Sequence, residues 1–309
     1  MPDLLGRPLT TPERIVKAAM EKAVTRAAKA DDLRAELRAL SERSRECFCT
    51  AALFLLGSTT EVQAQRRLYN AVAECPAFWI ELLRAGRFSR FELVEVCRYL
   101  ASIEDVLDVR LAHLLPGRNH NESPLDQETA LRTLDLLDQL SSGSRLILLV
   151  NHLTTHPDRR IASKATLLVG RRIRNQDWLS QRLDSEDGRV RASAVEGLWG
   201  VASRQAQAAL CAALNDKNNR VVGNALIGLH RLGEARVNEF VKRMIEDPRP
   251  PFRWTAAWVM SKIAAEEFRE YLERATKDQE PHVRRQAERA LESIRPVPVA
   301  DAPPTDPQP

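Results

Sequence analysis

The sequence predicts an all-α protein and, more narrowly, an α-solenoid (an alpha-alpha superhelix) of antiparallel helix pairs. Three observations lead there. A 31-residue period runs through the C-terminal half in two separate apolar columns. Glycine is scarce at 12 and aromatics make up 5%, which argues against an all-β fold built on glycine turns. Short breaks rich in Asp, Asn and Pro separate stretches of helical apolar spacing. The length of 309 residues fits, because one compact core stops growing near ~250–300 residues and an elongated array does not.

Residues 1–115 form an N-terminal helical region without a clean period. A long segment, 11–45, starts at Thr11-Pro12-Glu13, carries Leu33, Leu37 and Leu40 on one face, and can be divided at Asp31-Asp32. Segments 46–56, 60–74, 77–85, 89–102 and 104–115 read as short apolar helices. Asp105–Ala112 echoes the later repeat, so degenerate repeats are expected here, with an unrelated helical domain as the alternative. Pro116–Pro124 is polar and bracketed by prolines, which makes 116–125 a linker. Residues 126–155 are transitional: Ser-Pro-Leu-Asp (123–126) opens a helix through Leu140, and the Ser/Gly run at 141–144 ends it.

The repeats occupy 156–295. Ala165, Ala194, Ala225, Ala256 and Ala287 are spaced 29, 31, 31 and 31 residues apart. Four residues before each stands Ile161, Val190, Val221, Phe252 or Val283, and four after stands Val169, Leu198, Leu229, Met260 or Leu291. Such a row is one stripe of a helix, with a small residue where helices approach closely. Leu179, Leu210, Val241 and Leu272 form the stripe of a second helix at the same period. The prediction is four helix pairs and a capping helix. The cap places Glu288 where earlier units have Val195, Leu226 and Ala257, giving the polar outer face that a terminal repeat requires. The tail, 296–309, has six prolines and no aromatic residue, and is expected to be disordered or polyproline-like.

The Asp-rich break followed by Val-Arg-x-x-Ala-x-x-x-Leu resembles the HEAT-repeat family, in particular the short HEAT-like repeats of phycobilin-lyase-type proteins. Val190-Arg191 and Val283-Arg284 match the Val-Arg pair, Phe252-Arg253 nearly does, and Val221-Val222 lacks the arginine. The resemblance covers about 156–294 and implies the solenoid fold. It implies no single chemistry, since the family includes scaffolds, lyases, hydroxylases and nucleic-acid enzymes.

A search for chemistry finds none to assign. His152 and His156 have helical spacing, but Pro157 follows and no third ligand is near, so they read as a helix-end and loop pair. Cys47-x-Cys49 has the wrong spacing for a zinc or redox motif, and the five cysteines read as reduced and mostly buried. The iron-binding hydroxylases built from HEAT-like repeats carry His-Glu pairs, and no His here is followed by Glu. Nucleotide-binding glycine motifs and the hydrolase nucleophile elbow do not occur. No catalytic, metal or cofactor residue is therefore expected, and an enzyme is disfavoured. Trp254 and Trp258 read as filling between stacked helices.

The composition, 44% hydrophobic and 28% charged with no apolar run near the ~20 residues of a membrane span, predicts a soluble cytoplasmic protein with no membrane partner. Its excess of Arg over Lys suggests a high-GC bacterial genome. The expected function is a protein-protein interaction scaffold, its partner meeting exposed second-helix positions: Gln181, Glu239, Lys242, Arg243, Glu270, Glu273 and Arg274. Arg243 and Arg274, one repeat apart, suit acidic groups on an extended segment. The alternative is a nucleic-acid binder, for which residues 151–295 offer 26 basic against 19 acidic residues. Its phosphate-binding candidates are Arg159, Arg160, Lys164, Arg171, Arg172 and Arg174. A bilin-lyase-like protein that attaches a chromophore is a further alternative, which no residue specifically favours.

Overall fold

A computed structural model describes residues 7–117, 123–141 and 143–294. Half of the expected linker and the whole proline-rich tail lie outside them. The described residues hold eighteen α-helices and no strand. Their contacts divide the chain into two compact units, 1–172 and 173–309, so the helix expected to open the repeats groups with the N-terminal unit.

The N-terminal unit contains α1 (Thr11–Arg26), α2 (Ala30–Arg43), α3 (Arg45–Ser58), α4 (Val62–Ala73), α5 (Pro76–Leu83) and α6 (Arg90–Ala101). After them come α7 (Leu107–Ala112), α8 (Gln127–Leu140), α9 (Arg145–Val150) and α10 (Arg159–Ile173). Glu13 fixes the first turn of α1 by accepting from the Thr10 N–H at 2.7 Å and pairing with Arg7. The break before α2 falls at residues 27–29, ahead of Asp31-Asp32. Those two carboxylates sit in the first turn of α2, where they complement the positive end of the helix dipole. Ser89 and Glu92 cap α6 reciprocally, and Asp126 caps α8. Packing is between alternate helices: α1 on α3, α3 on α5, α2 on α4, and α6 on α8.

The C-terminal unit contains α11 (Gln176–Leu183), α12 (Gly188–Gly197), α13 (Arg204–Ala213), α14 (Asn219–Arg231) and α15 (Val237–Met244). It ends with α16 (Pro250–Ile263), α17 (Arg269–Ala275) and α18 (Pro281–Ile294). The first helices α12, α14, α16 and α18 stack in a row, with α13, α15 and α17 packed alongside as second helices. Side chains fix the row's direction. Asn219, at the start of α14, donates to the carbonyl of Pro251 at 3.1 Å at the start of α16, and Asn224 donates to Ala192 at 2.9 Å. The first helices are therefore parallel to one another.

The core follows the two apolar columns. Ala194, Ala225, Ala256 and Ala287 are fully buried, as are Leu179, Leu210, Val241 and Leu272. A side chain larger than Ala would push the row apart, at a typical cost of roughly 1–3 kcal/mol. Glu288 and Glu292 are exposed on α18, whereas Val195, Leu226 and Ala257 are buried, so the cap has the expected polar outer face.

Candidate functional site

The arginine of the Val-Arg pair is a structural tie. Arg191 donates to both carboxylate oxygens of Asp216 at 2.7 and 2.8 Å, and to the carbonyls of Ser185 and Glu186 at 2.7 and 3.0 Å. Arg253 repeats this with Asp278 at 2.7 and 2.9 Å and with the carbonyls of Asp247 and Pro248. Each arginine thus binds the loop before its own helix to the loop of the next repeat. Donation from the guanidinium holds the Asp216 and Asp278 carboxyls below the usual carboxylate range.

The third repeat lacks this rung because Val222 stands in the arginine position. Asp247 turns to Arg249 in its own loop, with two contacts of 2.9 Å. A pocket of about 600 Å³ opens there, lined by Val222, Phe240, Arg243, Met244 and Phe252 among others. Arg243 is exposed and pairs with no carboxylate among the described residues, donating to the Glu239 carbonyl at 3.3 Å.

Elsewhere on the second-helix surface, Gln181, Glu239, Glu270, Glu273 and Arg274 are exposed. Lys242 departs from expectation. It is only half-buried rather than solvated, and bridges Glu239 at 2.8 Å and Glu267 at 2.5 Å. Those two carboxylates raise its pKa. Arg274 lies over the Tyr271 ring at 4.7 Å and reaches Glu246 at 3.5 Å.

A second, open surface feature lies on the first helices. A groove of about 730 Å³ follows the outer side of α14, between Trp199 beyond α12 and Trp254 and Trp258 on α16. All three indoles are half-buried, so Trp254 and Trp258 line an open groove rather than filling the interior. Trp258 does lean one flank on the core. Trp199 donates from Nε1 to the Asn224 carbonyl at 2.7 Å, and the Arg231 guanidinium lies 4.4 Å from its ring centre. Two glycines of α14 make room for this arrangement. A Cβ at Gly223 would sit 2.4 Å from Thr255 Cγ2, and one at Gly228 would sit 3.0 Å from Trp199 Cδ1.

The rim of the groove is basic. Arg220, His230, Arg231 and Lys262 are exposed around it, and none makes an ion pair among the described residues. Glu196 is the one acidic lining residue. The sequence showed Trp254 and Trp258 but not the groove. Its signals were Trp199 one repeat-turn away and the paired glycines on α14, both easily taken for packing variation.

The basic stretch around α10 is arranged differently. Arg160 pairs with Glu128 at 3.3 Å, Lys164 with Asp135, and Arg171 and Arg172 with Asp138 at 3.8 and 2.8 Å. Four of the six phosphate-binding candidates are thus engaged by acids of α8, leaving Arg159 and Arg174 outside these pairs. His152 contacts the Pro116 carbonyl at 2.8 Å, and His156 Nδ1 accepts from the Asp158 N–H at 3.0 Å. Cys49 and Cys97 are buried with thiols pushed up to about 12, and Cys75 to about 11, so these three are protonated packing residues. Cys211 is exposed and Cys47 half-buried. No group of three or more His, Cys, Asp or Glu suited to a metal occurs among the described residues, and no described helix is long and apolar enough to cross a membrane.

Comparison with known proteins bears on the family alone. No curated protein sequence matches the chain. Among solved structures it is similar to human deoxyhypusine hydroxylase, with 16% identity, coverage of 82% of this chain and 98% of that one, and a TM-score of 0.35. It is also similar to an archaeal HEAT-like repeats protein from Thermococcus onnurineus, at 13% identity, 93% and 98% coverage and TM-score 0.32. A designed armadillo repeat protein shares 14% identity over 91% of this chain and 100% of its own, at TM-score 0.26. The sequence profile of HEAT repeats matches residues 175–245 and 237–302. The matched stretch contains helices α11–α18 of the C-terminal unit, whose sequence is thus HEAT-like.

Proposed function

We propose that the repeat unit is a non-enzymatic protein-interaction scaffold that binds an extended acidic segment of a partner protein in the tryptophan groove. The observation that carries this reading is three half-buried indoles beside Arg220, Arg231 and Lys262, which make no ion pair among the described residues. Exposed indole surface gains by burial, and Arg can fork onto carboxylates. The second-helix ridge supplies a further proposed contact. There Arg243 beside the missing-rung pocket and Arg274 one repeat on would meet additional acidic groups, flanked by Gln181, Glu239, Glu270 and Glu273, while Lys242 stays engaged in its bridge. The rival nucleic-acid reading loses support from α10, whose basic residues are largely neutralised by α8.

The test is fluorescence anisotropy at physiological salt with two probes: a labelled dodecapeptide of Glu, Pro and Phe, and a labelled oligodeoxythymidine. Peptide binding that falls at least tenfold in Arg231→Glu with Lys262→Glu, at unchanged circular dichroism, is the expected result. Tight, steeply salt-dependent oligonucleotide binding with no peptide binding would replace the scaffold reading by its rival.

A further inference from the structure

The groove lies one helix away from the point where the described chain stops. The parallel first helices place the end of α18, at Ile294, on the same side of the unit as Lys262 of α16 and His230 and Arg231 of α14. Residues 295–309 continue from there as RPVPVADAPPTDPQP, with two aspartates and six prolines. We propose that this tail is an intramolecular occupant of the tryptophan groove, which a partner must displace. The inference rests on the preceding reading only for which surface the partner uses.

Three considerations support this occupant. The first is reach. Polyproline II rises about 3.1 Å per residue, so Asp301, seven residues past Ile294, lies up to about 22 Å along the chain. Crossing from α18 to α14 spans two helix spacings of roughly 8–10 Å each. Asp301 can therefore reach the Arg231 and Lys262 rim. The second is chemistry. Proline-rich segments dock in aromatic-lined grooves because they are already extended and lose little entropy on binding. The third is charge: Asp301 and Asp306 meet a rim that carries Arg220, Arg231 and Lys262 against the lone Glu196. A tether of this length also gives a local concentration of the order of millimolar, so modest affinity suffices.

The test uses a labelled synthetic peptide of residues 295–309 and three proteins. These are the full chain, its Asp301→Lys/Asp306→Lys variant, and that variant carrying Arg231→Glu and Lys262→Glu in addition. Expected is peptide binding at least tenfold tighter to the tail variant than to the full chain, and lost in the third protein. Native circular dichroism and melting temperature in all three would show that folding is not the cause. A full-length Trp258→Phe variant on the tail-variant background gives an independent reading, with weakened peptide binding expected. Equal affinity for the first two proteins, or no binding to any, would overturn the proposal. The Glu/Pro/Phe peptide separates the two readings. If it binds the full chain and the tail variant equally, the groove serves partners but the tail does not occupy it. If the tail peptide binds as expected and the acidic probe binds neither protein, the tail proposal stands and the partner reading fails.

Discussion

In the C-terminal unit one polar tie recurs. Arg191 reaches Asp216 and Arg253 reaches Asp278, each 25 residues on and each also holding two loop carbonyls. Ties of the N-terminal unit differ from one another in kind. Tyr69 donates to Glu104, which Arg110 holds at 2.7 Å, and burial together with the carboxylate raises the tyrosine pKa. Gln65 donates to the Tyr99 hydroxyl at 2.8 Å, and Arg87 to Thr50 at 2.7 Å. Both units stack alternate helices, yet among the described residues the recurring arginine–aspartate rung belongs to the C-terminal unit. The difference shows that a helical stack does not require a periodic sequence. It requires buried apolar stripes, plus a partner for each polar group taken from water.

The severest loss is expected in the repeating core. Ala225→Arg places a long cation in a fully buried position between α12 and α16, and should cost more than about 3 kcal/mol if the charge cannot reach water. A urea midpoint close to that of the unaltered chain would show that the row is not close-packed there.

A smaller loss is expected from removing one rung. Arg253→Ala leaves Asp278 without its guanidinium, in a pair whose side chains are 15% and 11% exposed, and should cost about 1–3 kcal/mol near neutral pH. The pH dependence has a definite sign. The folded Asp278 carboxyl lies below its ordinary value, so the rung stabilises above the usual carboxylate range and fades as pH falls through the folded value. Stabilities of the two proteins should therefore converge on acidification. A constant gap down to acid pH would mean that Arg253 acts through packing and its loop-carbonyl bonds rather than through Asp278.

The smallest effect should come from restoring the missing rung. Val222→Arg offers Asp247 a second guanidinium beside Arg249 and is expected to raise stability by at most about 1 kcal/mol while filling the pocket near Arg243. A clear loss of stability would show that the third repeat is built around Val222 as apolar packing, since that side chain is itself buried.

Much of the repeat was legible because its contacts are regular. The columns through Ala194 and Leu210 mark buried stripes, and the Asp and Asn breaks mark loops, where Asp187 and Asn218 cap the following helices. Element limits in the N-terminal half were also close, with the exception of the α1–α2 break and the shorter α7. The groove was not legible. Trp254 reads like any core aromatic until the fold leaves its ring half exposed, and Gly223 and Gly228 read like packing variation until Thr255 and Trp199 are seen to close on them. Nor could the sequence show that Lys242 is held by Glu267, 25 residues away, since nothing in local spacing selects that carboxylate over Glu266 or Glu270.

The helical class, the 31-residue period and the polar face at Glu288 are readable from residue order, because each depends on the near-neighbour spacing that sets a helix face. Only the tertiary structure decided which charges remain available. Arg160, Lys164 and Arg172 are spent on α8, while Arg220, Arg231 and Lys262 make no ion pair among the described residues, and Arg231 stacks instead on Trp199. Whether a charge is engaged depends on what another helix brings within about 4 Å of it, and composition carries no information about that distance.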